Sequence, residues 1–254
     1  MEAVLIQQDI VWGNPAENCR RLSRLLDEAP QADLYVLPEM FSTGFATQSR
    51  EIAENAPAPS LDWMRETAKR KDAAIAGSIA LHEGQGRCYN RQYFVKPDGS
   101  VLAYDKRHLF TYGGEDRFFT AGSERVIAEW RGWRFLLLTC YDLRFPVWCR
   151  CRDDYDAIIC IANWPDKRQN AFDTLIRARA IENQSYMLGV NRVGTDAADL
   201  HYAGGTALVH PYGHTLAACE NDREGWCAAR LDADELREYR KKFPVLSDAD
   251  PFTL

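Results

Sequence analysis

Four polar residues each follow a short apolar run: Glu39 after DLYVLP, Lys106 after VLAYD, Cys140 after FLLLT and Asn163 after IICIA. A carboxylate, an ammonium and a thiol at one place make a workable acyl-transfer site. The carboxylate takes the thiol proton, the sulfur attacks a carbonyl carbon, and the ammonium faces the developing oxyanion. Taken singly, each residue has an ordinary role. Glu39 suits a cap or a loop ion pair, and Lys106 beside Arg107 and His108 suits a solvated basic cluster. Asn163 suits a turn before Pro165, and a free cysteine is most often a small buried hydrophobe. Their shared position is harder to dismiss, because ligands in open α/β sheets bind beyond the carboxyl ends of strands.

The stretch FLLLTCYDLRFP is the centre of this pattern. Phe135 to Thr139 is long enough for a buried strand and too short for a helix, and Asp142-Leu-Arg-Phe-Pro146 reads as a helix start, with Asp142 capping and the proline in the first turn. A cysteine at such a corner lies near a helix N-terminus, where free N–H groups and the dipole are expected to favour thiolate. Other machines fit less well. Nothing selects a partner histidine among His108, His201, His210 and His214, and there is no G-x-S-x-G, G-x-G-x-x-G or Walker loop. Cys140, Cys149 and Cys151 have no C-x2-C spacing and no nearby histidine, so no metal is expected.

The elements that must position these residues alternate between two periods. Ala3–Val11, 33–37, Ala73–Leu81 and Asp156–Ala162 read as strands, and 14–29, with Leu22, Leu25 and Leu26 on one face, as an amphipathic helix. Ser60 is expected to cap a helix running to Lys71, with Trp63, Met64 and Ala68 inward. Tyr89–Val95 and Val101–Tyr104 flank the turn Pro97-Asp98-Gly99, and Val126–Trp130 pairs with 133–138 across Arg131-Gly132. Helices are expected over 169–184 and 234–242, with further strands at Tyr186–Arg192, Ala203–His210 and 226–231. Strands, interleaved helices and inserted hairpins give an α/β layered fold in a single domain over residues 1–254.

Composition narrows the function classes. A formal net charge of −6 offers no basic surplus for nucleic acid. No apolar run approaches the ~18 residues that span a bilayer. The first residues, MEAVLIQQDIVWG, read as a strand and not a signal peptide, which points to a cytoplasmic protein whose eight cysteines are reduced.

Beyond these readings, LPEMFSTGF around Glu39, YDKRHLF around Lys106 and LLLTCYDLRFPVW around Cys140 resemble, in order and spacing, the three catalytic blocks of the nitrilase (carbon–nitrogen hydrolase) superfamily. The resemblance continues through IANWP, RARAIENQ, NRVG, HPYGHTLA and LREYRKKFPVLSDAD, and within the superfamily it is closest to the bacterial ω-amidases. It implies a four-layer α-β-β-α sandwich of the nitrilase type, a homodimer-based assembly, no cofactor, and a Glu39-Lys106-Cys140 triad with a second active-site glutamate at Glu115. The expected reaction releases ammonia from the terminal amide of a 2-oxo dicarboxylic acid monoamide through a cysteine thioester, with Lys106 and the Tyr141 N–H holding the oxyanion. The substrate carboxylate then needs a cation, for which Arg144 and Arg168 are both candidates, and Trp164 and Phe41 are candidate walls beside Asn163. The alternatives are another amidase of the superfamily, acting on an aliphatic amide, an N-carbamoyl amine or a nitrile, and a catalytically silent binding protein of the same fold.

Overall fold

A computed structural model describes residues 1–45, 52–84 and 86–253. The first half of the chain, joined by one strand from near residue 230, builds one sheet and the two helices that cover it. Strand β1 (Glu2–Gln7) leads into α1 (Pro15–Glu28), which starts where the Asn14 side chain accepts from the Glu17 N–H at 3.2 Å with Pro15 in the first turn. After β2 (Leu34–Val36) and the short β3 (Glu54–Asn55) comes α2 (Pro59–Lys71). Its N-cap is Ala58 and not Ser60, whose own N–H donates to Glu54 Oε2 at 2.9 Å. The buried carboxylate of Glu54 thus does the capping expected of the serine hydroxyl. Strands β4 (Ala74–His82), β5 (Cys88–Val95) and β6 (Val101–Asp105) complete the sheet in the order β15-β1-β2-β4-β5-β6, where β15 is Gly225–Arg230 and β3 pairs with β4.

The second sheet has the order β14-β13-β10-β9-β8-β7: β7 (Ile127–Trp130), β8 (Trp133–Thr139), β9 (Ala157–Ile161), β10 (Tyr186–Val190), β13 (Ala207–Val209) and β14 (Thr215–Ala218). The turn between β7 and β8 puts Arg131 and Gly132 at positive φ, as a tight hairpin requires. Helices α3 (Pro146–Cys149), α4 (Gln169–Glu182) and α5 (Ala233–Lys242) belong to this half. A separate hairpin, β11 (Val193–Thr195) and β12 (His201–Ala203), was not expected from the sequence; each strand has only three residues, too few to show a period.

Two hydrophobic cores hold these layers. Ala3, Leu5, Val36, Ala76 and Phe94 of the first sheet meet Phe135, Leu137, Ile159 and Leu188 of the second, in a core that also takes Phe172 and Ile176 of α4. The opposite-facing residues of the first sheet, Val4, Ile6, Tyr35 and Ile75, pack on Leu22 and Leu26 of α1 and on Met64 and Ala68 of α2. Alternating side chains along each strand therefore serve two interfaces, giving the expected α-β-β-α order.

Direction decides where the polar residues go. β1, β2 and β4 are parallel, and β8, β9 and β10 are parallel. β5 is antiparallel to both β4 and β6, so β6 runs the same way as β4 and β5 begins where they end.

Candidate active site

The carboxyl ends of β2, β6, β8 and β9 deliver Glu39, Lys106, Cys140 and Asn163 to one place, and the start of β5 adds Asn90. Glu39, Lys106 and Glu115 are fully buried, and Cys140 is 8% exposed. Lys106 Nζ lies 2.9 Å from Glu39 Oε1, and 3.1 and 2.9 Å from the two oxygens of Glu115. Asn90 Nδ2 donates to Glu39 Oε1 at 2.7 Å and to Glu115 Oε1 at 3.1 Å. Asn163 joins acid to thiol: its N–H donates to Glu39 Oε2 at 2.7 Å, and its carbonyl faces Cys140 Sγ at 3.9 Å.

Charge in this closed space follows from burial and from near neighbours. Burial opposes the Lys106 charge, but Glu115 and Glu39 together outweigh it and push the ammonium well above its ordinary range. Burial, reinforced by Glu39 and opposed by Lys106, raises Glu115. For Cys140 burial comes first, then the Glu39 charge; both push the thiol well up, and Lys106 pulls the other way. The surroundings thus push the sulfur toward the thiol, against the expectation from a helix dipole. The segment after β8 is a five-residue 3-10 turn, Cys140–Arg144, and not a helix long enough to act on the sulfur. Such an arrangement can hand the thiol proton to the neighbouring carboxylate as a sulfur attacks.

The turn itself is held by Asp142, which does more than cap. It forms a capping box with Thr139. It also accepts from Tyr104 Oη at 2.7 Å and from the His108 N–H at 2.9 Å, with His108 Nδ1 at 2.8 Å. One buried carboxylate thereby ties the cysteine turn to the segment that carries Lys106.

A cavity of about 50 Å³ opens on Cys140, walled by Phe45, Phe110, Tyr141, Trp164, Leu200 and Tyr202, with Arg144 and Arg168 also on its lining. A larger groove of about 640 Å³ lies against the C-terminal segment and touches none of the four polar residues, so size alone does not find the chemistry. Phe41, expected as a wall, is instead fully buried in the core under α2, its ring 5.6 Å from that of Trp63. Phe45 takes the wall position four residues later. Sequence reasoning also missed Asn90, which stands in the polar run Asn90-Arg91-Gln92 at the start of β5 and so is not singled out from its neighbours.

The whole chain has relatives. The family described as carbon–nitrogen hydrolase matches residues 3–241. The chain belongs to the carbon–nitrogen hydrolase family. An omega-amidase, YafV, of Yersinia enterocolitica is 45% identical over 100% of this chain and 98% of its own length. A 2-oxoglutaramate amidase of Bacillus subtilis is 34% identical over 96% of this chain and 95% of its own. A crystal structure of a CN-hydrolase superfamily protein from Xanthomonas campestris, with an arsenic adduct in its active site, superposes with a TM-score of 0.96 at 41% identity, covering 100% of this chain and 98% of that one. This carbon–nitrogen hydrolase is therefore an enzyme, and amidase is the activity for which its full-length relatives are named.

Proposed function

We propose that this carbon–nitrogen hydrolase releases ammonia from the terminal amide of 2-oxo dicarboxylic acid monoamides, 2-oxoglutaramate and 2-oxosuccinamate among them, through a thioester on Cys140. The observation that carries the substrate class is the pair of arginines beside the cavity. The Arg144 guanidinium lies 4.8 Å from the Trp164 ring centre and that of Arg168 5.3 Å from the Phe110 ring centre, and neither has a carboxylate partner among the described residues. Aromatic faces hold a guanidinium without using its donors, which leaves the planar fork for a carboxylate. A monoamide of a dicarboxylic acid offers its amide to Cys140 and its free carboxylate to such a fork. The names of the two relatives point the same way.

In the proposed reaction Glu39 takes the thiol proton as Cys140 Sγ adds to the amide carbon. The oxyanion is held by the Tyr141 N–H and by Lys106. One Lys106 hydrogen meets Glu39, one is shared between the Glu115 oxygens, and the third is left for substrate. Glu39 returns its proton to the amide nitrogen, the carbon–nitrogen bond breaks, and ammonia leaves the thioester. A water then gives its proton to Glu39 as it attacks the thioester carbon. The product acid departs, and the sulfur recovers that proton from Glu39. Glu115 keeps Lys106 charged and oriented throughout.

Arg168→Ala tests the substrate class. The residue is half-buried where Arg144 is exposed, so solvent screens it less and its loss is the larger. Charge-assisted hydrogen bonds contribute about 1.5–3 kcal/mol, so kcat/KM for 2-oxoglutaramate should fall roughly 10- to 150-fold while pentanamide changes little. Equal losses on both substrates in both Arg168→Ala and Arg144→Ala, or faster ammonia release by the native enzyme from a neutral amide, an N-carbamoyl amine or a nitrile, would overturn the assignment.

The assembly proposed is at least a homodimer, in the cytoplasm, where cysteines without disulfides are stable. Val147 on α3, Ile181 on α4 and Tyr212 are 55%, 50% and 55% exposed, apolar side chains of the kind a partner subunit covers. Light scattering at micromolar concentration should give a dimer mass or larger; a monomer mass would refute it.

A further inference from the structure

Asn90 occupies a position that stability alone does not explain. It is fully buried, and its Oδ1 has no hydrogen-bond partner among the described residues. A buried orphan acceptor destabilises a fold, and an apolar side chain on β5 would avoid the cost. Its Nδ2 is fully used. Lys106 Nζ, Glu39 Oε1, Asn90 Nδ2 and Glu115 Oε1 form a closed ring of alternating donors and acceptors, with sides of 2.9, 2.7, 3.1 and 3.1 Å. Turning the amide over would satisfy nothing, because Oδ1 would then face two carboxylate oxygens. The ring therefore fixes the amide orientation as well as its presence. The Asn90 carbonyl also accepts from the Lys106 N–H at 3.0 Å, so one residue holds the lysine by its backbone and the carboxylates by its side chain.

We propose that Asn90 is a positioning residue, the neutral donor that lets Glu39 and Glu115 stay ionised together around the one ammonium of Lys106. Two carboxylates face one positive charge in a space closed to water, and one of them must otherwise hold a proton. Glu39 cannot hold it and still accept the thiol proton. An amide spreading one N–H to each carboxylate stabilises both charged forms and adds no charge of its own. The ionisable groups that face this ring are Glu39, Lys106, Glu115 and Cys140, with Cys160 behind the sulfur and Tyr202 across the cavity.

This inference rests on the reading of Glu39 as the base for Cys140, and its test separates the two. Iodoacetamide alkylation of Cys140 in the free enzyme, followed against pH, needs no substrate and reports whether the carboxylate is available. Asn90→Leu removes the donor, and Asn90→Asp keeps the shape while adding a third acid. In native enzyme alkylation should slow as pH falls and the carboxylate ring takes up a proton. In Asn90→Leu that acid limb should move to higher pH, with alkylation roughly tenfold slower on the acid side and the difference closing at alkaline pH. Asn90→Asp should move it further. The acid limb of kcat/KM for 2-oxoglutaramate should follow in both. Curves that overlay the native one, or a loss uniform across pH, would overturn the role. Should Asn90→Leu fail to fold, Asn90→Asp carries the test through the position of its acid limb, which a purely structural loss would not move. If native enzyme does not turn over 2-oxoglutaramate, the substrate assignment fails while the alkylation curves still decide Asn90.

Discussion

Replacing Glu39 with glutamine keeps the shape and removes the proposed base, and the structure sets how much else changes. Every hydrogen bond to the Glu39 carboxylate comes from a donor: Lys106 Nζ and Asn90 Nδ2 on Oε1, and the Asn163 N–H on Oε2. A glutamine must turn its NH2 toward one side or the other, so at least one buried donor is left facing a donor. That costs about 1–3 kcal/mol, offset in part because Glu115 loses a like charge beside it. At ~2–4 °C per kcal/mol for a chain of this size, melting should fall by roughly 2–10 °C, with the protein folded at room temperature. Activity should fall far more. A positioned general base contributes about 10²–10⁴ in rate, so ammonia release should drop at least ~100-fold at unchanged protein concentration. The alkylation curve of Cys140 supplies an independent signature. Glu39 is second only to burial in holding the thiol up. Without its charge the sulfur should ionise at lower pH, and the acid limb due to carboxylate protonation should vanish. Turnover within a few-fold of native, or an acid limb that survives in Glu39→Gln, would remove Glu39 from the proton path.

Lys106→Ala should leave two buried carboxylates without their cation, a loss of about 3–5 kcal/mol, and should reduce turnover roughly 10²- to 10³-fold. Without the Lys106 pull, Glu115 rises further than in the native fold. A raised carboxyl contributes stability below its unfolded value and loses it as pH rises, so the melting deficit should shrink on acidification; a deficit independent of pH would contradict this. Iodoacetamide should label Cys140 before the other seven cysteines, with substrate protecting it, as read by peptide mapping. Among the described residues Cys140 is the one cysteine on the cavity wall, and its thiol, pushed up by burial as those of Cys19 and Cys149 are, has the Glu39 carboxylate beside it to take the proton. Labelling that starts elsewhere, or turnover by Cys140→Ala, would rule out the thioester route.

The strands that build the site were legible because burial leaves a strong local mark. FLLLT, IICIA and LYVLP are apolar without interruption, as strands covered on both faces must be, and each ends on a polar residue that the fold uses. Glu115 was visible only through family resemblance: a glutamate on a 3-10 turn in a glycine-containing loop carries no local sign that its side chain will be buried against Lys106. Asn90 was hidden for the opposite reason. Inside a strand, period-two reasoning says which face a residue takes but not what waits there, and here two acids from distant segments wait. Phe41 and Phe45 flank the same loop, and nothing in the sequence says which ring turns to the core and which to the cavity. Helix caps failed similarly at Ser60, where a carboxylate six residues earlier in the chain displaced the local hydroxyl.

The proposed base and nucleophile also share a backbone feature that ties chemistry to stability. Met40, directly after Glu39, has φ +44, and Cys140 itself has φ +47. Non-glycine residues in this region cost on the order of 1–2 kcal/mol each. Glycine would remove that cost at position 140, yet glycine carries no sulfur, and under the proposed reaction the sulfur outweighs the backbone preference. The two strained corners end β2 in one sheet and β8 in the other, the strands whose runs Leu34–Val36 and Phe135–Leu138 are fully buried. Strain, two carboxylates on one ammonium and an orphan amide oxygen are all concentrated where the sheets' strand ends meet. Each is destabilising by itself. The aliphatic core shared by the two sheets fixes those strand ends from both sides, and that rigidity is what keeps the corners from relaxing into conformations in which Glu39 and Cys140 would no longer face the same asparagine.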